Sequence, residues 1–479
     1  MSESLKQRTA RGLLWGGLNS GAMQLLNLLF GIFLARLLDR SDYGMVGMLT
    51  IFSSIAGVLQ EGGFISAIAN KRRVDHADFN AVFWFSALAG TGFYLILFFC
   101  APLIARFYGV PELTPLSRFV FIGFLIAGIG TAPRAKLFRE LKVKQNTIVS
   151  LIALISSGCT GIALAASGMA YWGLAIQSVV YVTVIVALNF FFSHWHPTLH
   201  IDLRPLRGMI GFSSRMVVTK VFNVVNDNLF SMVLGRLYTP REVGDFSQAN
   251  KWNAMGHGLI TGMVNNVAQP VLASVADDPR RQLKVFRKMI RFTAFLSFPA
   301  LLGLSIVASE LITLTITAKW TESAHILSLL CVWGAFAPLN NLFSNLLISR
   351  GRSQTYMWCT IALSLLQLAA AIAVHSLGLT WMLRVFVTIH IGWLLVWFTF
   401  VHREIGLTLL QLLRDISPYL LLSAALAAGT WLVAAPIDNI YLRLLAKILI
   451  MAGLYALVLY LADSVIFRES LHYILGKKR

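Results

Sequence analysis

Runs of apolar residues recur along the chain, broken by short polar stretches, from about residue 12 to about residue 463. Most reach about 20 residues, enough at 1.5 Å per residue to cross roughly 30 Å of hydrocarbon as a helix. Fourteen spans are predicted, near 12–35, 44–69, 80–105, 116–138, 146–166, 171–193, 209–235, 244–272, 289–309, 324–348, 355–376, 380–401, 417–436 and 442–463. Backbone amides in hydrocarbon must be satisfied within their own segment or in a closed barrel, and the period-two alternation of barrel strands is absent. The predicted fold is therefore an all-α polytopic membrane protein.

Composition agrees with this pattern. Hydrophobic residues are 57% of the 479, charged residues only 13%, and the mean hydropathy is +0.72, too apolar for a soluble protein of this length. The formal charge of +19 does not point to nucleic acid, because no soluble basic domain, aromatic recognition run or zinc spacing carries it. Topology explains it. With the N-terminus in the cytoplasm, 27 of the 40 lysines and arginines fall in cytoplasmic connections and tails and eight on the outer side, the asymmetry that retained positive loops produce. Both termini are thus expected in the cytoplasm, consistent with an even number of spans. The basic start reads as an uncleaved first helix, since no good cleavage site follows it.

A repeat divides the chain. ARLLDRSDYG at 35–44 and GRLYTPREVG at 235–244 share arginine, leucine, an acid and glycine at an offset of 200 residues, and each closes one helix and opens the next. Six spans separate the copies, so the halves are expected to be parallel, related by an axis along the membrane normal. This gives an N-terminal six-helix lobe at 1–193, a cytoplasmic linker at 194–207, a C-terminal six-helix lobe at 208–402, and helices 13 and 14 with a tail at 403–479. Capping and loop pairing suffice for the arginine and acid of each copy.

No catalytic constellation appears: GxSxG, HExxH, a phosphate-cradling loop and an Asp-rich metal motif are all missing. The chain is read as not an enzyme, with no cofactor and no metal site. His194, His196 and His200 of the linker read as surface residues, and Cys100, Cys159, Cys331 and Cys359, each single within an apolar span, as packing residues. Ionisable groups inside spans say more, because each costs at least about 2.5–3.5 kcal/mol unless it meets water or a partner. The seventh span holds Arg215, Lys220 and Asp227 among Asn223, Asn226 and Asn228. Seven residues at about 100° each bring Asp227 back to within about 20° of Lys220. Lys220 sits about 18 Å into its span and Lys251 and His257 about 11–20 Å into the eighth. Arg215, Lys220, Lys251 and His257 are the candidate lining of a cationic cavity that would attract a phosphate or pyrophosphate, with Asn223, Asn226 and Asp227 as its polar walls. Glu61 and Asp227 are the candidates for proton or sodium coupling, and Gly62–Gly63 after Glu61 loosen that helix. Arg384, Glu310 and Lys447 are expected to snorkel at outer helix ends, and Gly258 and Gly262 to mark close helix packing.

The basic start from Arg8 to Trp15, ARLLDRSDYG at 35–44 and GxxSAIANKRR from Gly62 resemble the Wzx-type polysaccharide flippase (polysaccharide exporter) family of the multidrug/oligosaccharidyl-lipid/polysaccharide superfamily. PRAKLFRELKVK at 133–144, Lys319-Trp320 with the helix after it, and LISRGR at 347–352 extend the likeness over nearly the whole chain. The resemblance implies two six-helix lobes, two extra helices and alternating access that carries an undecaprenyl-pyrophosphate-linked oligosaccharide across the bacterial cytoplasmic membrane. Its partners would be that lipid-linked substrate, the bilayer, and polymerase and chain-length machinery of surface polysaccharide assembly. Two alternatives stand beside this one. A multidrug or cation antiporter of the same superfamily would want acids where this chain carries lysines, and a membrane glycosyltransferase or ligase would want catalytic acids and a large outer loop.

Overall fold

A computed structural model describes residues 5–61, 63–71, 74–140 and 142–474; Gly62, Arg72, Arg73, Leu141 and the basic tail from 475, which enter the motifs and the charge count, lie outside the described residues. Every regular element among the described residues is helical. The order is α1 (Leu5–Leu37), α2 (Arg40–Glu61), α3 (Phe64–Asn70), α4 (His76–Tyr108), α5 (Leu113–Val120), α6 (Ile122–Arg139), α7 (Val143–Ala166), α8 (Ala170–Ser193) and α9 (Arg207–Leu237). Then follow α10 (Pro240–Ser274), α11 (Pro279–Ile316), α12 (Thr321–Gly334), α13 (Ala337–Ser349), α14 (Ser353–Val374), α15 (Leu379–Ile405), α16 (Leu409–Ala434), α17 (Ile440–Leu461) and α18 (Val465–Ile474). Each predicted span falls on one of these helices or on a broken pair. Ten helices or continuous pairs among the described residues are long and apolar enough to cross a membrane.

The breaks have local causes. α2 stops at Glu61, and Gly63 takes a left-handed φ of 69° before α3, so the second span is interrupted at Gly63, where a loosened helix was expected. α12 and α13 part at Ala335–Phe336, where Pro338 in the first turn of α13 cannot donate to a preceding turn. Helix starts are capped where polar residues permit. Asp75 and Asp78 form a reciprocal capping box on α4, Thr408 and Gln411 one on α16, Asp278 caps α11 with Pro279 behind it, and Asn439 caps α17.

The chain forms two compact units, Met1–Gly244 and Asp245–Arg479. In the first, α4, α6, α7 and α8 pack together, α1 lies on α7, and α2 lies on α9. The polar linker is bound to this unit. Trp195 is 4% exposed among Phe79, Phe83, Ala132 and Leu206. Its indole N–H donates to His76 Nδ1 at 3.1 Å, and the Asn80 amide bonds the backbone of His200 and Thr198. His194, His196 and His200 are exposed.

In the second unit α11 is the central helix, packed against α12, α16 and α17. Two corrections belong here. Lys447 and Glu310 do not snorkel: they are 5% and 2% exposed and bond each other at 2.7 Å, with Arg443 also 2.7 Å from the same carboxylate oxygen and Lys447 donating to the Ile306 carbonyl. A buried charge is stabilised by a partner when one is within reach, and here α17 meets α11. Gly258 and Gly262 mark no close packing, since a Cβ on either would meet no described atom within 4 Å; two residues earlier on α10, Gly256 is tight against Leu301 and Leu304. Arg384 lies over Trp381, 4.9 Å from the ring centroid.

Candidate functional site

α1 and α2 flank the first copy of the repeated turn and α9 and α10 the second, and the predicted site residues fall on α2, α9 and α10. The repeated turns are built alike. Leu38 N–H donates to Leu34 and Tyr238 N–H to Leu234, both at 2.8 Å, which ends α1 and α9 in the same way. Asp39 N–H donates to the Asp42 carboxylate at 2.8 Å and Thr239 N–H to the Glu242 carboxylate at 2.9 Å, so the acid of each copy satisfies the first free amide of α2 and of α10. The capping role expected of the acids is what the geometry gives.

The glycine that ends each copy does something the sequence reading left unassigned. A Cβ on Gly44 would lie 2.6 Å from the Pro240 carbonyl carbon, and one on Gly244 would lie 2.8 Å from the Arg40 carbonyl carbon and 3.1 Å from the Gly44 nitrogen. Residues 40 and 44 thus meet residues 240 and 244 reciprocally, backbone on backbone, an isologous contact between duplicated helix starts. Glycine alone permits that approach. Gly235 adds to it, with Tyr108 and Met48 within 3.1 Å of where its Cβ would be. The signal was present in the sequence as the shared final glycine.

Among the predicted cavity residues, the side chains of Arg215, Asn226, Asp227 and Glu61 lie outside the described residues. Lys220 and Asn223 are half-buried on α9, three residues apart and so on neighbouring faces. Lys251 is half-buried on α10, 11 residues past Pro240, about 17 Å along the helix. It makes no ion pair among the described residues. His257 turns its ring edge-on to Trp333, centroids 5.2 Å apart, with Nδ1 buried, so it joins an aromatic cluster inside the second unit.

An all-helical membrane chain with a repeated helix–turn–helix, and charged side chains well inside α9 and α10, has the architecture of a polytopic transporter. The chain belongs to the polysaccharide biosynthesis protein family, which matches residues 33–325. It is similar to the lipopolysaccharide biosynthesis protein WzxC of Escherichia coli K12, 23% identical over 355 residues that cover 73% of this chain and 71% of that one. It is equally similar to the teichuronic acid biosynthesis protein TuaB of Bacillus subtilis 168, 23% identical over 395 residues and 78% of each chain. In fold it matches the lipid II flippase MurJ in an inward closed conformation, with a TM-score of 0.74 at 15% identity over 97% of this chain and all of that one. An inward-facing multidrug resistance MATE family transporter of the MOP superfamily matches with a TM-score of 0.65 at 18% identity, over 80% of this chain and 94% of that one. The protein is a multi-pass protein of the bacterial inner membrane, a transporter of polysaccharide biosynthesis.

Proposed function

We propose that this protein flips an undecaprenyl-pyrophosphate-linked oligosaccharide from the cytoplasmic to the outer leaflet by alternating access, supplying repeat units for a surface polysaccharide. Both termini lie in the cytoplasm in this reading, the turns at 35–44 and 235–244 face outward, and the polymerase and chain-length machinery act on the delivered product. Lys251 carries the argument. A half-buried ammonium well inside a helix, with no carboxylate paired to it among the described residues, costs several kcal/mol unless water or an anion meets it, and a pyrophosphate supplies that anion in a low-dielectric setting where the attraction is strong. A carrier of cationic drugs would gain nothing from a lysine at that position. Arg215 and Lys220 extend the cationic surface, Asn223 and Asn226 hydrogen-bond sugars, and Glu61 and Asp227 are coupling candidates for a proton or sodium ion.

The test reconstitutes the protein in liposomes with a fluorescent short-chain polyprenyl-pyrophosphate-linked sugar and measures protection from an external reductant. Lys251→Ala lowers the flipping rate at least tenfold, Lys251→Arg retains most of it, and both keep the elution profile and melting temperature of the parent. Parental flipping by Lys251→Glu would refute the anionic-substrate reading.

A further inference from the structure

One face of α10 is polar and open beyond Lys251, and the proposed function uses only the lysine. At about 100° per residue, Gly258, Gly262, Asn265 and Gln269 lie within about 40° of Lys251 round the helix. A Cβ on Gly258 or Gly262 would meet no described atom within 4 Å, so the face is open at both positions between the lysine and the amides. Asn265 and Gln269 are exposed. The exposed apolar side chains of the same stretch, Leu259, Met263 and Val267, stand about 80–160° further round. α10 therefore carries its hydrocarbon-compatible residues on one side and its amides on another. An amide with nothing to bond is strongly disfavoured against hydrocarbon, so the amide side is where water or a polar ligand belongs.

Asn265 is held from a second helix. Asn345 on α13 is 7% exposed, and its Nδ2 donates to Asn265 Oδ1 and to Asn341 Oδ1, both at 2.8 Å. Asn341 precedes Asn345 by one helical turn and is half-buried. One nitrogen thus fixes two carbonyl oxygens, which stand no more than twice that distance apart. The amide nitrogens of Asn265 and Asn341 are left without a hydrogen-bond partner among the described residues. A polar clamp between α10 and α13 needs only the bond to Asn265; the second bond aligns a second outward amide beside the first.

The three amides have two self-consistent settings. With Asn345 donating, both outer residues present NH2 groups. When all three turn over together, the Asn345 oxygen accepts from both neighbours, and both outer residues present carbonyl oxygens. The outer pair is two donors or two acceptors, and the inner bonds survive in either setting. A phosphate or carboxylate only accepts and an ammonium only donates, so each is served by one setting. A hydroxyl does both, so a polyhydroxyl ring is bound in either. We propose that Asn265 and Asn341, positioned by Asn345, form a saccharide-binding subsite of the second unit that takes the hydroxyls of neutral hexoses. The subsite rests on the flippase reading and adds a length requirement to it. Asn265 lies 14 residues beyond Lys251, about 21 Å along α10, farther than a single ring on a pyrophosphate at Lys251 reaches. The cargo is therefore an oligosaccharide whose distal rings meet the amides, and the subsite selects for the presence of that glycan, not for one sugar configuration.

The test titrates the full-length protein in detergent micelles with undecaprenyl pyrophosphate and with the same lipid carrying a linear tetrasaccharide of neutral hexoses, and native mass spectrometry gives both dissociation constants. Their ratio cancels any loss common to the two lipids, such as partial misfolding of a variant. The parent protein binds the glycosylated lipid at least tenfold more tightly than the bare one. Asn265→Ala and Asn341→Ala each cut that preference at least threefold, whereas Lys251→Ala weakens both lipids and keeps the preference within twofold. Asn345→Leu loses the preference because nothing aligns the outer amides. Asn345→Asp, which accepts from both neighbours and holds their oxygens outward, retains it within threefold, since hydroxyls donate to those oxygens. Loss in Asn345→Asp as complete as in Asn345→Leu marks the amides as an anion site and overturns the proposal. A preference unchanged in Asn265→Ala and Asn341→Ala, or a parent that binds both lipids equally, overturns it too and leaves the flippase reading standing. Binding of neither lipid by the parent rejects the flippase reading and the subsite with it.

Discussion

Replacing Gly44 by alanine puts a methyl group where the Pro240 carbonyl already lies. The new carbon would stand 2.6 Å from the carbonyl carbon and 3.0 Å from the Pro240 Cα, against about 3.5–4.0 Å for ordinary carbon contact, so the two helix starts must part by roughly 1 Å. The obstacle is backbone at the start of a helix, so no side-chain rotation relieves it. Overpacking of this kind costs about 1–3 kcal/mol, and a bias of that size moves a two-state equilibrium about 5- to 150-fold. Gly244→Ala meets the Arg40 carbonyl in the reciprocal position. Because both methyl groups act on one contact, the second enters a gap the first has opened, and the double variant loses less than the two single losses combined. The assay uses Met48→Cys in a background with the four native cysteines replaced. Met48 is 1% exposed and borders Gly235 in the same contact. Labelling of intact cells with an impermeant maleimide rises at least fivefold in Gly44→Ala and in Gly244→Ala, on the proposed outward placement of this turn. Unchanged labelling in both, or fully multiplicative effects in the double variant, would refute the shared contact.

Three further outcomes are expected. Glu310→Gln leaves Lys447 and Arg443 without their carboxylate and lowers stability by about 3–5 kcal/mol, whereas Glu310→Leu with Lys447→Met costs clearly less; thermal melting of the two in detergent decides, and equal losses would count against a paired buried charge. Thr317 joins α11 to the short turn before α12 with φ 83° and ψ 163°, a region open almost solely to glycine at a cost of about 1–3 kcal/mol, so Thr317→Gly raises the melting temperature, and a fall would show the backbone to be unstrained. Trp195→Ala removes the buried ring that ties the linker to the first unit and costs about 3–5 kcal/mol; limited proteolysis within residues 194–206 accelerates, and an unchanged cleavage rate would mean the linker is held by Asn80 without it.

The helices were legible as long apolar runs, and a weak point after Glu61 was legible from its glycines, read there as a bend where the helix in fact ends before Gly63. The division of the fourth span into α5 and α6 at Phe121 was not legible, since no breaker residue marks it. Long-range polar partners were hidden for a different reason. Glu310 and Lys447 are 137 positions apart, Asn80 and His200 are 120 apart, and nothing in either local segment says that its polar residue will find the other instead of reaching for water. Lys447, eight positions into α17, is where these alternatives differ most, because a snorkelling lysine and a buried paired lysine have the same sequence surroundings.

The same limit explains why the charged residues of α9 and α10 and the neutral polar residues of α14 and α15 were read unequally. Lys220 and Lys251 attract notice because a charge in hydrocarbon is costly taken alone, so position is sufficient to flag them. Gln367, Asn340 and His390 are neutral, and each could be satisfied by a bond to its own helix, as His390 Nδ1 is by Phe386 four residues earlier. Only when α14 brings Gln367 against the His390 ring does the polar contact arise. A contact of this kind is a property of two helices meeting, and neither helix carries its signature. The Gly44–Gly244 contact differs because the sequence prints it twice: each copy of the turn is the other's partner, so the repeat itself contained the residues by which its two copies touch.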